Sequence, residues 1–211
     1  MRPQYSITLR PASEPITYDQ AASHLRVDST DDMEYIAELI SVSREYVDNA
    51  TGRASLRTSY KLTSASWCGL FLHGVFPNGW LPAPGYLYTA PLYRTPLISV
   101  ESVKYYAPDA STLTTMSADD YRVITTGEPG MIQFTGTLPD VEDRPDAIQI
   151  AFTAGNNNIN NVSPSHKHAI KMMVAHLYEN RIPIGSSGYA TEVPLGLRAL
   201  IESQKVGGWF E

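Results

Sequence analysis

The sequence predicts an α+β protein: a small helical bundle formed by the N- and C-terminal helices, with an inserted antiparallel β lobe. Apolar residues recur at helical spacing towards both chain ends, over residues 33–50 and 170–178. Between these segments the period drops to two, and Gly, Pro, Asn and Asp punctuate the chain. A length of 211 residues suffices for one large domain or two small ones.

Residues 1–15 carry Pro3, Pro11 and Pro15 and read as an extended arm, of a kind that stays disordered unless something ties it down. Thr17-Tyr18-Asp19-Gln20 is a capping box, so a short helix follows to about Arg26. Asp28, Ser29, Thr30, Asp31 and Asp32 then offer N-caps and negative charge to the next helix dipole. In that helix Met33, Ile36, Ile40, Val47 and Ala50 share a face, with Leu39 and Tyr46 widening it. Glu34, Glu38, Glu45 and Asp48 fall mostly away from it, and Gly52 ends the helix.

Leu56, Thr58, Tyr60 and Leu62 alternate with polar residues, as a strand does. Residues 66–96 have no helical period, many breakers and many aromatics, and predict an insertion of short strands and loops. Strands are expected over 97–107, 120–125, 131–134 and 147–153, with turns at Pro108-Asp109-Ala110 and Gly127-Glu128-Pro129-Gly130. Residues 155–161 read as a flexible link. Ser163-Pro164 opens a helix whose apolar face is Ile170, Met173, Val174, Leu177 and Tyr178. Gly185-Ser186-Ser187-Gly188 reads as a mobile loop, and Pro194 opens a last helix carrying Leu197, Leu200 and Ile201. The expected division is an arm at 1–15, bundle helices at 16–54, a β lobe at 55–155, bundle helices at 162–205 and a tail at 206–211.

Catalytic patterns are missing from this sequence. It holds no Walker A loop, no G-x-G-x-x-G and no G-x-S-x-G elbow. His166 and His168 lack the i, i+4 spacing of a helical zinc pair, so the five histidines read as surface or interface residues. Cys68 has no basic neighbour to lower its pKa and reads as a tucked thiol. No enzyme activity, cofactor or metal is expected. A net charge of −6, with basic residues scattered, does not suit a protein that grips DNA phosphates. No apolar run approaches the ~18–20 residues of a membrane span, and none is expected to reach a membrane.

Exposed Tyr and Trp suit a half-wet, half-apolar contact. Trp67, Phe71, Trp80, Tyr86 and Tyr88 are therefore candidate interface residues. A carbohydrate-binding groove built from the 66–96 aromatics is the minority alternative, tested by saccharide binding lost in Trp80→Ala.

The order of segments resembles the head–tail connector (adaptor) proteins of tailed bacteriophages, in the larger variant with a β insertion between the helices. The resemblance rests on three groups of residues. The first is Ile16-Thr17-Tyr18-Asp19-Gln20-Ala21-Ala22-Ser23-His24-Leu25-Arg26-Val27, followed by the acidic cap and the helix from Tyr35 to Arg53. The second is Tyr93-Arg94-Thr95-Pro96-Leu97-Ile98-Ser99-Val100, then Val103-Lys104-Tyr105-Tyr106 and Asp120-Tyr121-Arg122-Val123. The third is Arg144-Pro145-Asp146-Ala147-Ile148, Phe152-Thr153-Ala154-Gly155 and the stretch from Ile170 to Arg181. It departs from the family at 66–92, which are longer and more aromatic. The resemblance implies a non-enzymatic ring of about twelve copies, a dodecamer with heterologous contacts. The ring would sit under the portal protein in the virion neck, above a stopper or tail-completion protein. It would surround double-stranded DNA that passes without specific binding, and its subunits would be made in the host cytoplasm. It further implies a terminal portal anchor, assigned to residues 202–211 with Trp209 and Phe210 as the candidate side chains. A stopper role in the same neck is the nearest alternative.

Overall fold

The computed structural model describes residues 3–71, 88–181 and 193–206. The chain forms two compact units. A helical unit comprises Pro11–Leu56 and Asn156–Val206, and a β unit comprises the described parts of Met1–Arg10 together with Arg57–Gly155.

The helical unit holds α1 (Tyr18–Leu25), α2 (Met33–Thr51), α3 (Pro164–Glu179) and α4 (Leu195–Glu202). The capping box forms as the sequence predicts. Gln20 N–H donates to Thr17 Oγ1 at 3.3 Å, and Thr17 N–H donates to Gln20 Oε1 at 3.4 Å. α2 ends at Gly52, whose φ of 71° lies in the left-handed region that glycine enters without a Cβ clash. Pro164 occupies the first turn of α3, where its missing N–H costs nothing.

The core joins Ile36, Ile40 and Val47 of α2 to Ala169, Ile170, Met173 and Val174 of α3 and to Leu197 and Ile201 of α4. Each large aliphatic side chain buried here contributes roughly 1.5–3 kcal/mol. The buried stripe of α2 is nevertheless turned from the expected one. Met33 and Tyr46 are 48% and 39% exposed, while Ser43, Arg44, Asp48 and Thr51 are buried. Counting apolar residues alone missed these polar members of the i, i+4 rows. The expected flexible link is a built turn: Asn158 Oδ1 accepts from Asn160 N–H at 2.9 Å, and the Asn156 amide donates to Ser55 O at 3.0 Å.

The β unit contains β1 (Gln4–Leu9), β2 (Thr58–Ser64), β3 (Thr89–Leu92), β4 (Leu97–Tyr106), β5 (Leu113–Thr115), β6 (Tyr121–Ile124), β7 (Gly130–Phe134) and β8 (Ile148–Ala154). They make a five-stranded antiparallel sheet, β1-β2-β8-β4-β5, and a three-stranded one, β3-β7-β6. Within the extended arm expected at 1–15, one segment is tied down. Gln4–Leu9 pairs with β2, because the ladder satisfies its backbone groups and Tyr5 has an aromatic face to pack on.

β2 buries Thr58, Tyr60, Leu62 and Ser64 and leaves the alternate residues half-buried, the period the sequence announced. β8 is paired on both edges, with Ile148, Ile150, Phe152 and Ala154 fully buried. β4 slips its register against β8 between Leu97 and Ser99 and again between Val100 and Ser102. Such bulges bend a strand. Gly130 of β7 lies against the Leu97 side chain, where an added Cβ would come within 2.7 Å of Leu97 Cδ2.

Candidate functional site

Chemically distinctive side chains gather in three places. The first is a buried polar node in the helical unit. Asp48, in the last turns of α2, accepts from the Ser55 hydroxyl and from Ser55 N–H at 3.2 Å. Its Oδ1 also lies 2.9 Å from His166 Nε2 in the first turn of α3. The other ring nitrogen, Nδ1, lies 3.3 Å from Gln204 Oε1, just beyond α4. Arg44, one turn before Asp48, approaches it at 3.9 Å and donates from Nε to Glu14 Oε2 at 2.7 Å. Arg53 Nε donates to Gln204 O at 2.8 Å, and Val206 N–H donates to Thr51 O at 2.8 Å.

Four parts of the unit thus converge on the end of α2: the segment before α1, the loop after α2, the start of α3 and the residues after α4. Arg44, Asp48 and His166 are 5%, 7% and 3% exposed, so their polar groups must be met from within the protein. The set has the members of a nucleophilic triad in the wrong order. A triad needs the imidazole between hydroxyl and carboxylate. Here the carboxylate stands between Ser55 and His166, and Ser55 is 2% exposed. The arrangement fixes helices and does not activate a nucleophile.

The expectation that all histidines are surface or interface residues fails at His166. The expectation that Asp48 lies away from the buried face fails with it. One signal was available: Ile36, Ile40, Arg44 and Asp48 form a single i+4 row, so the apolar stripe continues into a charged pair.

The second place is a latch between the two ends of the α2–α3 pair. Asp32 Oδ2 accepts from the Tyr178 hydroxyl at 2.6 Å and from Arg181 NH2 at 2.9 Å. The Arg181 guanidinium lies 4.6 Å from the Tyr35 ring centre and 5.0 Å from that of Tyr178. Asp32 does precede α2, but its side chain makes no cap bond. The Tyr178 hydrogen bond, then that of Arg181, hold its carboxyl below the usual carboxylate range.

The third place is aromatic. In the β unit Phe152 meets Tyr60 in a stacked contact at 5.5 Å and Tyr5 edge-on at 6.2 Å. Arg94 lies 5.6 Å from the ring centres of both tyrosines. The Tyr5 hydroxyl oxygen accepts from Tyr93 N–H at 3.1 Å. Burial pushes the Tyr5 phenol up to about 12.

A second aromatic group surrounds Phe134, with Trp67 at 5.3 Å and Phe71 at 6.0 Å. Trp67 is 7% exposed, and its indole N–H donates to Pro139 O at 2.8 Å. It is a core side chain of the β unit, which corrects its assignment to an interface: burying the ring requires a partner for the N–H, and Pro139 supplies one. Phe71 packs edge-on against Tyr88 at 5.8 Å, and Tyr88 is 54% exposed. Trp80, Tyr86, Trp209 and Phe210 lie outside the described residues, as does the Gly185–Gly188 loop. Cys68, expected to be tucked away, is exposed. Among the described residues no group of three His, Cys, Asp or Glu could hold a metal ion, and no helix is long and apolar enough to cross a membrane.

Among the described residues these elements define a mixed α+β fold with four α-helices and two antiparallel sheets. No protein-family model matches the chain, and no curated protein matches it. Solved structures do. A chain of the "Neck of empty GTA particle computed with C6 symmetry" aligns with a TM-score of 0.70 at 17% identity, covering 96% of this chain and 95% of that chain. A chain of the "Virion of native gene transfer agent (GTA) particle" aligns with a TM-score of 0.68 at 16% identity, over 96% and 95% of the two chains. A chain of the "Neck of native GTA particle computed with C12 symmetry" aligns with a TM-score of 0.65 at 17% identity, over 98% and 96%. At such identities the likeness establishes a shared fold, and it does so over nearly the whole length of both partners.

Proposed function

We propose that this chain is a structural subunit of the neck of a phage-like particle, and within the neck a head–tail connector (adaptor). It forms a ring under the portal, around the DNA channel, and links the capsid to the tail without turning over a substrate. The observation that carries this reading is the fold shared over 96% of the chain with a chain from a gene transfer agent neck. The order of sequence segments, which resembles that of the adaptor proteins, supports it from a separate direction.

The physical properties fit the role. A ring needs heterologous contacts, one surface of each copy against a different surface of the next. A chain of net charge −6 repels the phosphate backbone, so DNA slides past it. The buried node and the latch brace the α2–α3 pair, as a part under mechanical load requires. Residues 202–211 are the proposed portal anchor.

The test is light scattering of the purified protein, alone and mixed with the portal protein of the same phage. The adaptor reading expects a stable complex with about twelve copies per portal ring, the closed cyclic symmetry of a neck. A chain that ignores the portal overturns it. A stopper role in the same neck is the alternative reading. It expects a different ring size and a different neighbour.

A further inference from the structure

Both ring nitrogens of His166 face oxygen atoms. Nε2 lies 2.9 Å from Asp48 Oδ1, and Nδ1 lies 3.3 Å from Gln204 Oε1. The Gln204 amide is fixed in this sense, because its Nε2 donates to Leu200 O at 3.0 Å. Turned over, it would set its own oxygen against that carbonyl. A carboxylate oxygen and an amide oxygen only accept hydrogen bonds. A neutral imidazole has one N–H to give, whereas the imidazolium has one on each nitrogen. His166 is buried, so a ring nitrogen left without its partner gains little from solvent.

We infer that His166 is a protonation-controlled tether for the residues that follow α4. The imidazolium bonds Asp48 and Gln204 at once, and so joins the end of α2, the start of α3 and Gln204. As pH rises and the ring gives up one proton, the remaining N–H stays with Asp48. A bond to an ionised acceptor is roughly twice as strong as one to a neutral amide. Gln204 Oε1 then meets a bare nitrogen lone pair, and the contact is lost. The tether is therefore present on the acid side of the ring's titration and absent on the alkaline side. Two further bonds hold the same residues without His166: Val206 N–H on Thr51 O and Arg53 Nε on Gln204 O, both at 2.8 Å. Losing the tether thus loosens the segment and leaves the helices in place. The charged groups set around the ring come from every neighbouring element. They are Asp48 and Arg44 on α2, Glu14 bonded to Arg44, Arg53 after α2, Lys167 beside His166 on α3, and Glu202 with Lys205 at the end of α4. Of these, Asp48 bonds the ring itself. The tether belongs to the free chain and does not depend on the portal reading.

Proton–nitrogen spectra of the histidine rings, with amide exchange of the full chain, test this over a series from about pH 5 to 8. The expected ring of His166 carries a proton on both nitrogens at the acid end. Protection of the Val206 N–H then falls by about tenfold or more in step with the loss of one ring proton. His166→Gln puts a side-chain amide near the position of Nε2, where it still donates to Asp48, and puts nothing in the place of Nδ1. This variant keeps α2 and α3 protected and holds Val206 protection level across the series. A wild-type ring with a single N–H at every pH overturns the tether. Val206 protection that does not follow the ring overturns it too, as does protection that still falls with pH in His166→Gln. If that variant does not fold, the wild-type ring spectra decide the matter by themselves.

Discussion

In the helical unit, α2 and α3 are held by a buried node of Arg44, Asp48 and His166, whereas in the β unit β8 is held by backbone pairing along both edges. The difference follows from where each element spends its backbone hydrogen bonds. A helix satisfies its own N–H and C=O groups, so nothing in its backbone specifies a neighbour. Side chains must do that, and a buried charge set in one geometry does it more selectively than oily contact. A strand chooses its neighbour by its backbone, and its side chains then only have to fill the space. Among the described residues the buried Arg, Asp and His side chains therefore lie in the helical unit and the buried aromatic ones in the β unit.

The largest effects should come from striking each unit in its own currency. Asp48→Ala leaves Arg44 and His166 buried without their carboxylate, and costs about 3–5 kcal/mol in urea unfolding. Phe152→Ala empties the space between Tyr5 and Tyr60 and costs about 3–5 kcal/mol. Residue-resolved amide exchange should place the loss of protection from Asp48→Ala first in α2 and α3, and that from Phe152→Ala first in β2 and β8. Reversal of that pattern breaks the comparison.

A middle-sized effect is expected at Trp67. Trp67→Phe keeps most of the packing on Phe134 but leaves the Pro139 carbonyl without its donor, a loss of about 1–2 kcal/mol by thermal or urea unfolding. No change would mean that the indole N–H adds nothing to the core.

Tyr5→Phe removes the acceptor for Tyr93 N–H and costs about 1 kcal/mol near neutral pH. Its pH signature is sharper. The folded-state value of about 12 lies above the ordinary phenol value near 10. The unfolded chain thus loses its proton first, and stability falls as pH rises from about 10 towards 12. Tyr5→Phe should remove that part of the alkaline fall.

The smallest effect belongs to the latch. The Asp32 carboxyl is held below its usual range by Tyr178 and then Arg181. Its contribution is therefore present at neutral pH and is lost as pH falls through the folded-state value. Tyr178→Phe should flatten that acid limb in a stability-versus-pH series, and an unchanged limb would remove the latch from the account.

The helices, the turns between strands and the alternation in β2 were legible in the sequence, because capping boxes, Pro at a helix start and period-two burial are local physics. Asp48 and His166 were not legible, since 118 residues separate them and neither pattern points at the other. Trp67 looked like a surface aromatic because its hydrogen-bond partner, Pro139, lies 72 residues away. Residues 1–15 looked like an arm because strand pairing with Thr58–Ser64 is decided by a distant segment.

By itself the sequence determined the kinds and order of most elements and the acidic, dispersed charge. Those follow from residue spacing and composition, which act over a few residues or over the whole chain at once. Only the tertiary structure decided which polar groups are buried together and which aromatics face inward. Those depend on contacts between segments far apart in the chain, where folding brings partners within hydrogen-bond reach that no local pattern announces.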